Sequence, residues 1–152
     1  MVWEYKSEKG GIIMSEISFI TPKTNWIKTD RFNINDYNRI KNNLNYLGII
    51  GNDLFSAFSL NDMGADKTEY IKYWKPSEFN LFEENLDIIV RNFPKYDAGV
   101  RKTFFENAPF IDYKELNRIE SAILYFYKIS STHKATLPRL AVRIGNMRGV
   151  KV

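Results

Sequence analysis

The stretch FNINDYNRIKNNLNYLG, from Phe32 to Gly48, decides the fold because it specifies both the start and the buried face of one helix. Asn33 and Asp36 have the spacing of a capping box, in which each side chain accepts a hydrogen bond from the other residue's backbone N–H. The apolar positions that follow recur with helical spacing: Tyr37, Ile40, Leu44 and Leu47. Gly48 stands where a left-handed helix cap is common. The pattern predicts an amphipathic helix over about 33–48.

A second stretch, IDYKELNRIESAILYFY from Ile111 to Tyr127, repeats this pattern. Asp112 and Glu115 again have capping-box spacing. The same apolar spacing recurs at Leu116, Ile119, Ile123 and Phe126. The two stretches share the tripeptide Asn-Arg-Ile, so we expect a duplicated helical unit with a second helix over about 112–129. The alternative is that two unrelated helices share ordinary capping and packing chemistry.

A weaker third copy, YWKPSEFNLFEENLDIIVRNFP, lies between them from Tyr73 to Pro94. Here Asn80 and Glu83 have the cap spacing, and Trp74 stands upstream as Trp26 does before the first helix. The apolar stripe consists of Phe82, Leu86, Ile89 and Phe93. This pattern predicts a helix over about 77–93, which is either a degenerate repeat or an ordinary amphipathic helix.

The chain is long enough for one domain with its own core. Residues 1–13 are expected to form a flexible N-terminal extension, and 14–132 a helical domain. Residues 133–152 alternate apolar and basic side chains and include no acid, which predicts a basic extended arm. The expected fold class is therefore mainly α: a small bundle of about three amphipathic helices with extended N- and C-terminal arms and room for a short β-hairpin.

The residue inventory argues against a catalytic protein. There is no cysteine and His133 is the one histidine, which excludes thiolate chemistry and a histidine metal cluster. No phosphate-binding, nucleophile-elbow or metalloprotease motif occurs. We therefore predict no catalytic, cofactor-binding or metal-binding residues and no enzyme activity. A small carboxylate enzyme remains the least favoured alternative, because pairing of acids across helices is not readable from sequence.

Aromatic residues are the strongest indication of function. Nine Tyr, eleven Phe and three Trp exceed what three short helices need, and aromatic side chains commonly anchor protein interfaces. The interface candidates are the aromatic residues Trp26, Phe32, Tyr37 and Trp74, with Arg139, Arg143 and Arg148 in the C-terminal arm. Placement of these aromatics in the core is the alternative. We expect a homo-oligomer and no membrane insertion, because no apolar run is long enough to cross a bilayer.

Nucleic acid is a less favoured partner. The 22 basic residues outnumber the 18 acidic ones, but the excess is concentrated after residue 133. A basic arm can lie along phosphates. No aromatic residue lies among its charges to stack on bases, which weakens an interpretation as a single-strand binder.

The block TPKTNWIKTDRFNINDYNRIKNNLNYL, from Thr21 to Leu47, resembles a segment of small tail, baseplate or fibre-associated proteins of phages and prophages of Gram-positive bacteria. The phrase ELNRIE, from Glu115 to Glu120, is similar to a second recurring phrase of such proteins. The resemblance implies a virion structural protein that assembles in the host cytoplasm in several copies and contacts other virion proteins. It implies no catalytic residues.

Overall fold

The computed structural model describes residues 18–69 and 73–147, with side chains up to residue 137, and these residues form three α-helices. Helix α1 spans Ile34–Leu54, α2 spans Pro76–Asn92 and α3 spans Tyr113–Met147. No β-strand occurs in the described part of the chain. The predicted mainly α bundle is confirmed, and the β-hairpin is not found in these residues.

Two of the three helices, α1 and α3, begin at a residue whose side chain accepts hydrogen bonds from free backbone N–H groups. Asn33 and Asp36 form the complete predicted capping box of α1. Asp112 accepts hydrogen bonds from the N–H groups of Lys114 and Glu115 at the start of α3, at 2.9 and 3.0 Å. The Glu115 carboxylate pairs with Lys102 and Arg118. The half of the predicted α3 capping box that depends on the Asp112 side chain is therefore confirmed.

The predicted apolar stripes form the core. The four stripe residues of the first stretch and the four of the second are all at most 4% exposed: Tyr37, Ile40, Leu44, Leu47, Leu116, Ile119, Ile123 and Phe126. The stripe of α2 joins them through Phe82, Leu86, Ile89 and Phe93. One face of each helix is thus buried, as helical periodicity predicts.

The three helices run parallel. Phe32, Trp74 and Phe110 precede α1, α2 and α3, and they meet around Phe79 in the first turn of α2. At the opposite end, Phe55 follows α1 and its ring lies 4.8 Å from that of Phe93, which follows α2. Parallel neighbours need a connection that returns along the bundle. The segments 55–75 and 93–112, called crossover 2 and crossover 3 here, are long enough to do so.

Asparagine side chains on the helices hold these extended segments. In each case the amide donates to the carbonyl of one residue and accepts from the N–H of the same residue, at 2.6 to 3.0 Å; we call this a clasp. The clasps are Asn43 with Ile20, Asn117 with Trp26, Asn52 with Phe58, Asn85 with Asn61, Asn38 with Lys67, and Asn80 with Phe104. A backbone group buried without a partner is costly. The clasps therefore supply the hydrogen-bond partners that a neighbouring strand would supply in a sheet.

The clasps reveal three equivalent units, each an extended segment followed by a helix. The residues that cap the helices are Asn33, Lys75 and Asp112. Five residues after each cap stands a clasp asparagine, namely Asn38, Asn80 or Asn117. Unit 1 comprises 18–54, unit 2 comprises 55–92 and unit 3 begins at residue 93. The three units therefore share one order of extended segment, cap and clasp asparagine.

The first clasp of each unit closes the three units into a ring. Asn38 of α1 holds Lys67 in crossover 2, and Asn80 of α2 holds Phe104 in crossover 3. Asn117 of α3 holds Trp26, in the segment that leads into α1. Each helix thus fixes the segment that enters the next unit, and the last helix fixes the first segment.

The register predicted for the third copy was wrong. Asn80 and Glu83 do not start α2, because the cap residue is Lys75, whose N–H donates to Glu78 at 3.0 Å. Pro76 at the first helical position fixes this earlier start, since its ring prefers helical φ and it has no N–H to satisfy. Asn80 and Glu83 both lie inside the helix, where Asn80 contacts crossover 3 and Glu83 contacts Arg118.

Two predicted helix ends were also wrong. Gly48 does not end α1, which continues to Leu54. A Cβ at Gly48 would lie 2.7 Å from Leu60, so the absence of a side chain there leaves room for crossover 2 to pack on the helix. Helix α3 does not end near residue 129 but continues to Met147, so residues 133–147 of the predicted extended arm are helical. The predicted extension 1–13 and residues 148–152 lie outside the described residues.

Candidate interaction surface at the amino end of the bundle

Aromatic residues from all three units meet where the helices begin, which we call the amino end. The ring of Phe32 lies 5.2 Å from that of Trp74 and 6.0 Å from that of Trp26. Trp74 also stacks on Tyr37 at 5.1 Å, and Phe110 packs edge-on against Phe79 at 4.8 Å. These contacts follow from the chain order, because each helix is preceded by a large apolar residue that packs on the neighbouring unit.

An open cavity of about 1030 Å³ lies at this end. Its walls include residues of all three units: Trp26, Phe32 and Ile34 from unit 1, Lys67 and Trp74 from unit 2, and Phe110, Ile111, Tyr113 and Leu116 from unit 3. Binding sites are typically concave and lined by apolar side chains with a few polar groups. The amino end therefore has the form of a binding surface.

Large apolar side chains at the amino end face solvent, and two of them, Ile27 and Phe110, line the cavity. Ile27 is 58% exposed, Tyr73 76%, Phe105 66% and Phe110 48%. We call these four residues the apolar rim. Ile27 and Phe105 occupy equivalent positions, each directly after a clasped residue, and Tyr73 and Phe110 each stand two residues before a helix cap. Single exposed apolar residues are ordinary, whereas a group of them at one end of a bundle, beside a cavity, marks an interaction site.

Charges of both signs lie among the rim residues. Lys28, Arg31, Glu69 and Glu106 are exposed. Asp30 forms an ion pair with Lys23 at 2.9 Å, and the hydrogen bond from Lys23 lowers the pKa of Asp30. The amino end therefore has no dominant charge and does not select a strongly acidic or strongly basic ligand.

The most buried acids are bound to arginine. Glu120, which is fully buried, forms an ion pair with Arg39 at 2.7 Å and also accepts from the indole N–H of Trp26. Glu83 pairs with Arg118. Burial raises the pKa of Glu83, and the positive charge of Arg118 opposes this rise. These groups join units within the bundle, so their contacts are those of a structural network.

The remaining sites considered from the sequence have structural contacts as well. His133 is half-buried, and its ring lies 5.0 Å from that of Phe55. Asp66 pairs with Lys41 at 2.6 Å, and the hydrogen bond from Lys41 lowers its pKa. Across residues 18–69 and 73–147, no group of acids and histidine is arranged to hold a metal ion. The helices in the same ranges are too short or too polar to cross a bilayer.

The structure brings the predicted aromatic candidates together at the amino end. Trp26 and Tyr37 are at most 3% exposed, whereas Phe32 and Trp74 are half-buried and line the cavity. Arg139 and Arg143 lie on the last turns of α3, and Arg148 lies outside the described residues. An interface role for all of these residues stays a prediction.

The rim was not predicted, because nothing in the local sequence separates Ile27 or Phe105 from a core residue. The spacing of the asparagines from the helix caps was the one signal that could have located the clasps, and through them the rim. No family model matches this chain, and neither a curated protein nor a solved structure is similar to it.

Proposed function

We propose that this protein is a phage virion structural protein, a tail or baseplate component that acts through contacts between subunits. The observation that carries the proposal is the apolar rim beside the cavity at the amino end. Exposed apolar groups of this kind are costly in water unless a partner covers them. Assembly in the host cytoplasm followed by incorporation into the particle would provide such partners.

The resemblance in the sequence supports the same proposal. The residues that carry it have structural tasks in this fold: Trp26 is clasped, Asn33 and Asp36 cap α1, and Asn38 and Arg39 join neighbouring units. In the phrase ELNRIE, Asn117 is a clasp and Glu120 is the buried partner of Arg39. A protein with the same residues at these positions would share the architecture.

The proposal is tested on phage particles induced from the strain that carries the gene. Particles are purified on a density gradient, and their proteins are identified and counted by mass spectrometry. The expected result is that the chain sediments with the tail proteins at a fixed number of copies per particle. The matched control is a cytoplasmic host protein of similar abundance. Recovery of the chain only in the soluble fraction, together with that control, would contradict the proposal.

A second candidate is a nucleic-acid-binding accessory protein, which the continuation of α3 favours. Lys134, Arg139 and Arg143 lie on the last turns of this helix, and no acid occurs after residue 133. If three phosphates are neutralised, affinity for duplex DNA should fall roughly 40-fold between 50 and 200 mM salt. Fluorescence anisotropy of the full chain and of an Arg139→Gln, Arg143→Gln variant measures this. If the anisotropy is the same for both proteins and does not change with salt, the nucleic-acid-binding function is eliminated.

A further inference from the structure

We propose that the amino end of the bundle binds the amino end of a second copy of this chain, related by a two-fold axis. This inference deepens the proposed function, on which it rests, because it names a partner for the surface that carries that proposal. The occupant of the cavity is then the apolar rim of the other copy.

The first argument is that projections and a cavity lie on the same surface. A two-fold interface uses one patch on both molecules, so the patch must be complementary to itself. The exposed side chain of Ile27 lines a cavity of about 1030 Å³ with aromatic walls, and that of Phe105 is exposed at the equivalent position of unit 3. A rim side chain of each copy can therefore enter the cavity of the other, which buries apolar surface on both sides.

The second argument is the arrangement of charges. The residue after Ile27 is Lys28, and the residue at the equivalent position in unit 3, after Phe105, is Glu106. In unit 2 the equivalent residue is Glu69. The walls of the cavity themselves include the acids Asp30 and Asp112 and the bases Lys28 and Arg31. A surface with balanced charges suits a second copy of itself, whereas an acidic or basic partner would meet repulsion from half of these groups.

The third argument concerns the helix dipoles, which would oppose contact between two amino ends. Each helix has an acid in its first turn: Asp36 in α1, Glu78 in α2 and Glu115 in α3. A negative charge at this position offsets the partial positive charge of the helix N-terminus. The six helix starts of a pair therefore approach each other without a large net positive charge.

The test is the mass of the full chain in solution, measured by sedimentation equilibrium from the micromolar to the millimolar range. The expected species is a dimer of twice the chain mass of 17.9 kDa. Ile27→Ser and Phe105→Ser remove the two rim residues at equivalent positions. Because truncation of a central apolar contact commonly costs a factor of about 30 in affinity, each variant should raise the dimer Kd at least about tenfold.

Two matched controls remove exposed apolar residues elsewhere. Val100→Ser changes a residue that is 83% exposed on crossover 3 but does not belong to the apolar rim, and Leu137→Ser changes a residue that is 43% exposed on α3. Both should leave the Kd unchanged. Circular dichroism checks that all four variants fold, which is expected because the substituted side chains are exposed.

Three results would overturn the inference. The first is a wild-type chain that stays monomeric throughout the concentration range. The second is a dimer whose Kd is unchanged in Ile27→Ser and Phe105→Ser. The third is a dimer that only Leu137→Ser weakens, which would place the contact on α3. The particle experiment is independent: a monomeric chain that is found in particles would end this inference and leave the virion proposal standing.

Discussion

Two of the three junctions between units contain an ion pair of arginine and glutamate that joins two helices, and the third does not. At the junction of units 1 and 3, Arg39 binds Glu120; at the junction of units 3 and 2, Arg118 binds Glu83. The equivalent positions at the junction of units 2 and 1 are Leu81 and Lys41. There the Lys41 ammonium donates to the carbonyl of Gly64 at 2.9 Å, and Gly64 has a φ of +73° that favours glycine.

The clasp, in contrast, is present at all three junctions. Asn38, Asn80 and Asn117 each make the same pair of hydrogen bonds to an extended segment. Buried ion pairs are often replaceable because desolvation offsets much of their attraction, whereas a buried backbone N–H and C=O always need partners. The comparison teaches that each junction of this fold requires the clasp, whereas the residues next to the clasp can be an ion pair or other side chains.

The largest loss of stability is expected when only one partner of a buried ion pair is removed. Glu120→Ala removes the acceptor of the Arg39 Nε and Nη2 groups and of the Trp26 indole N–H in a buried site, and Arg39 keeps only its bond to Asp36. We expect the free energy of unfolding in urea to fall by about 3–5 kcal/mol. The control is Asp87→Ala, which breaks an exposed pair with Arg91 and should cost about 0–1 kcal/mol. Equal losses in the two variants would refute the structural role of Glu120.

Alkaline pH should weaken the junction of units 2 and 1 through Tyr37. Tyr37 packs there against Trp74, and burial followed by the nearby charge of Glu78 raises the pKa of Tyr37 to about 12. The equivalent residues of the other units are Phe79 and Leu116, which do not titrate.

The sign follows from the higher pKa in the folded state. The stabilisation is complete below the unfolded pKa of about 10 and is lost as the pH rises from 10 to 12, by at most about 3 kcal/mol. Unfolding in urea at several pH values measures it, with Tyr37→Phe as the matched control. The wild-type chain should lose more stability than the variant in this range; identical pH profiles would contradict the assignment.

Removing the clasps one at a time should cost similar amounts. Asn38→Ala, Asn80→Ala and Asn117→Ala each leave one backbone N–H and one C=O without a partner, for an expected loss of about 1–3 kcal/mol in the free energy of unfolding. Asn42→Ala is the control, because its amide bonds only the exposed carboxylate of Asp66. If one of the three clasps proved dispensable, the equivalence of the units would not hold.

The smallest effect is a coupling energy. A double-mutant cycle with Arg118→Leu and Glu83→Gln should give a coupling of about 0.5–3 kcal/mol, because the two residues form an ion pair. The same cycle at the equivalent positions, with Leu81→Ala and Lys41→Met, should be additive within about 0.5 kcal/mol. Comparable couplings in the two cycles would remove the distinction between the junctions.

Local patterns in the sequence were sufficient to predict the helices and their buried faces. The cap of α1 and the stripe through Ile40 and Leu44 depend on residues within a few turns of each other. The end of α1 was not predictable in this way, because Gly48 is glycine to admit Leu60 and not to end the helix. Helix α3 continues through a segment whose alternating pattern is typical of a strand.

The candidate surface was predictable only in part, for a related reason. Trp26, Phe32 and Trp74 were found because each precedes a recognisable helix start. The clasps that set the register of the crossovers join residues far apart in sequence, such as Trp26 and Asn117, which are 91 positions apart. Exposure of Ile27 and Phe105 follows from that register, so it required the tertiary structure.

The most direct test of the three-unit architecture is amide hydrogen exchange measured by NMR at single-residue resolution. Five of the six clasped N–H groups serve as probes, those of Ile20, Trp26, Asn61, Lys67 and Phe104, and they belong to neither a helix nor a strand. The predicted result is that they exchange as slowly as amides inside the helices, while exposed neighbours such as Asn25 and Thr68 exchange rapidly. Fast exchange at all five clasped amides would contradict the architecture.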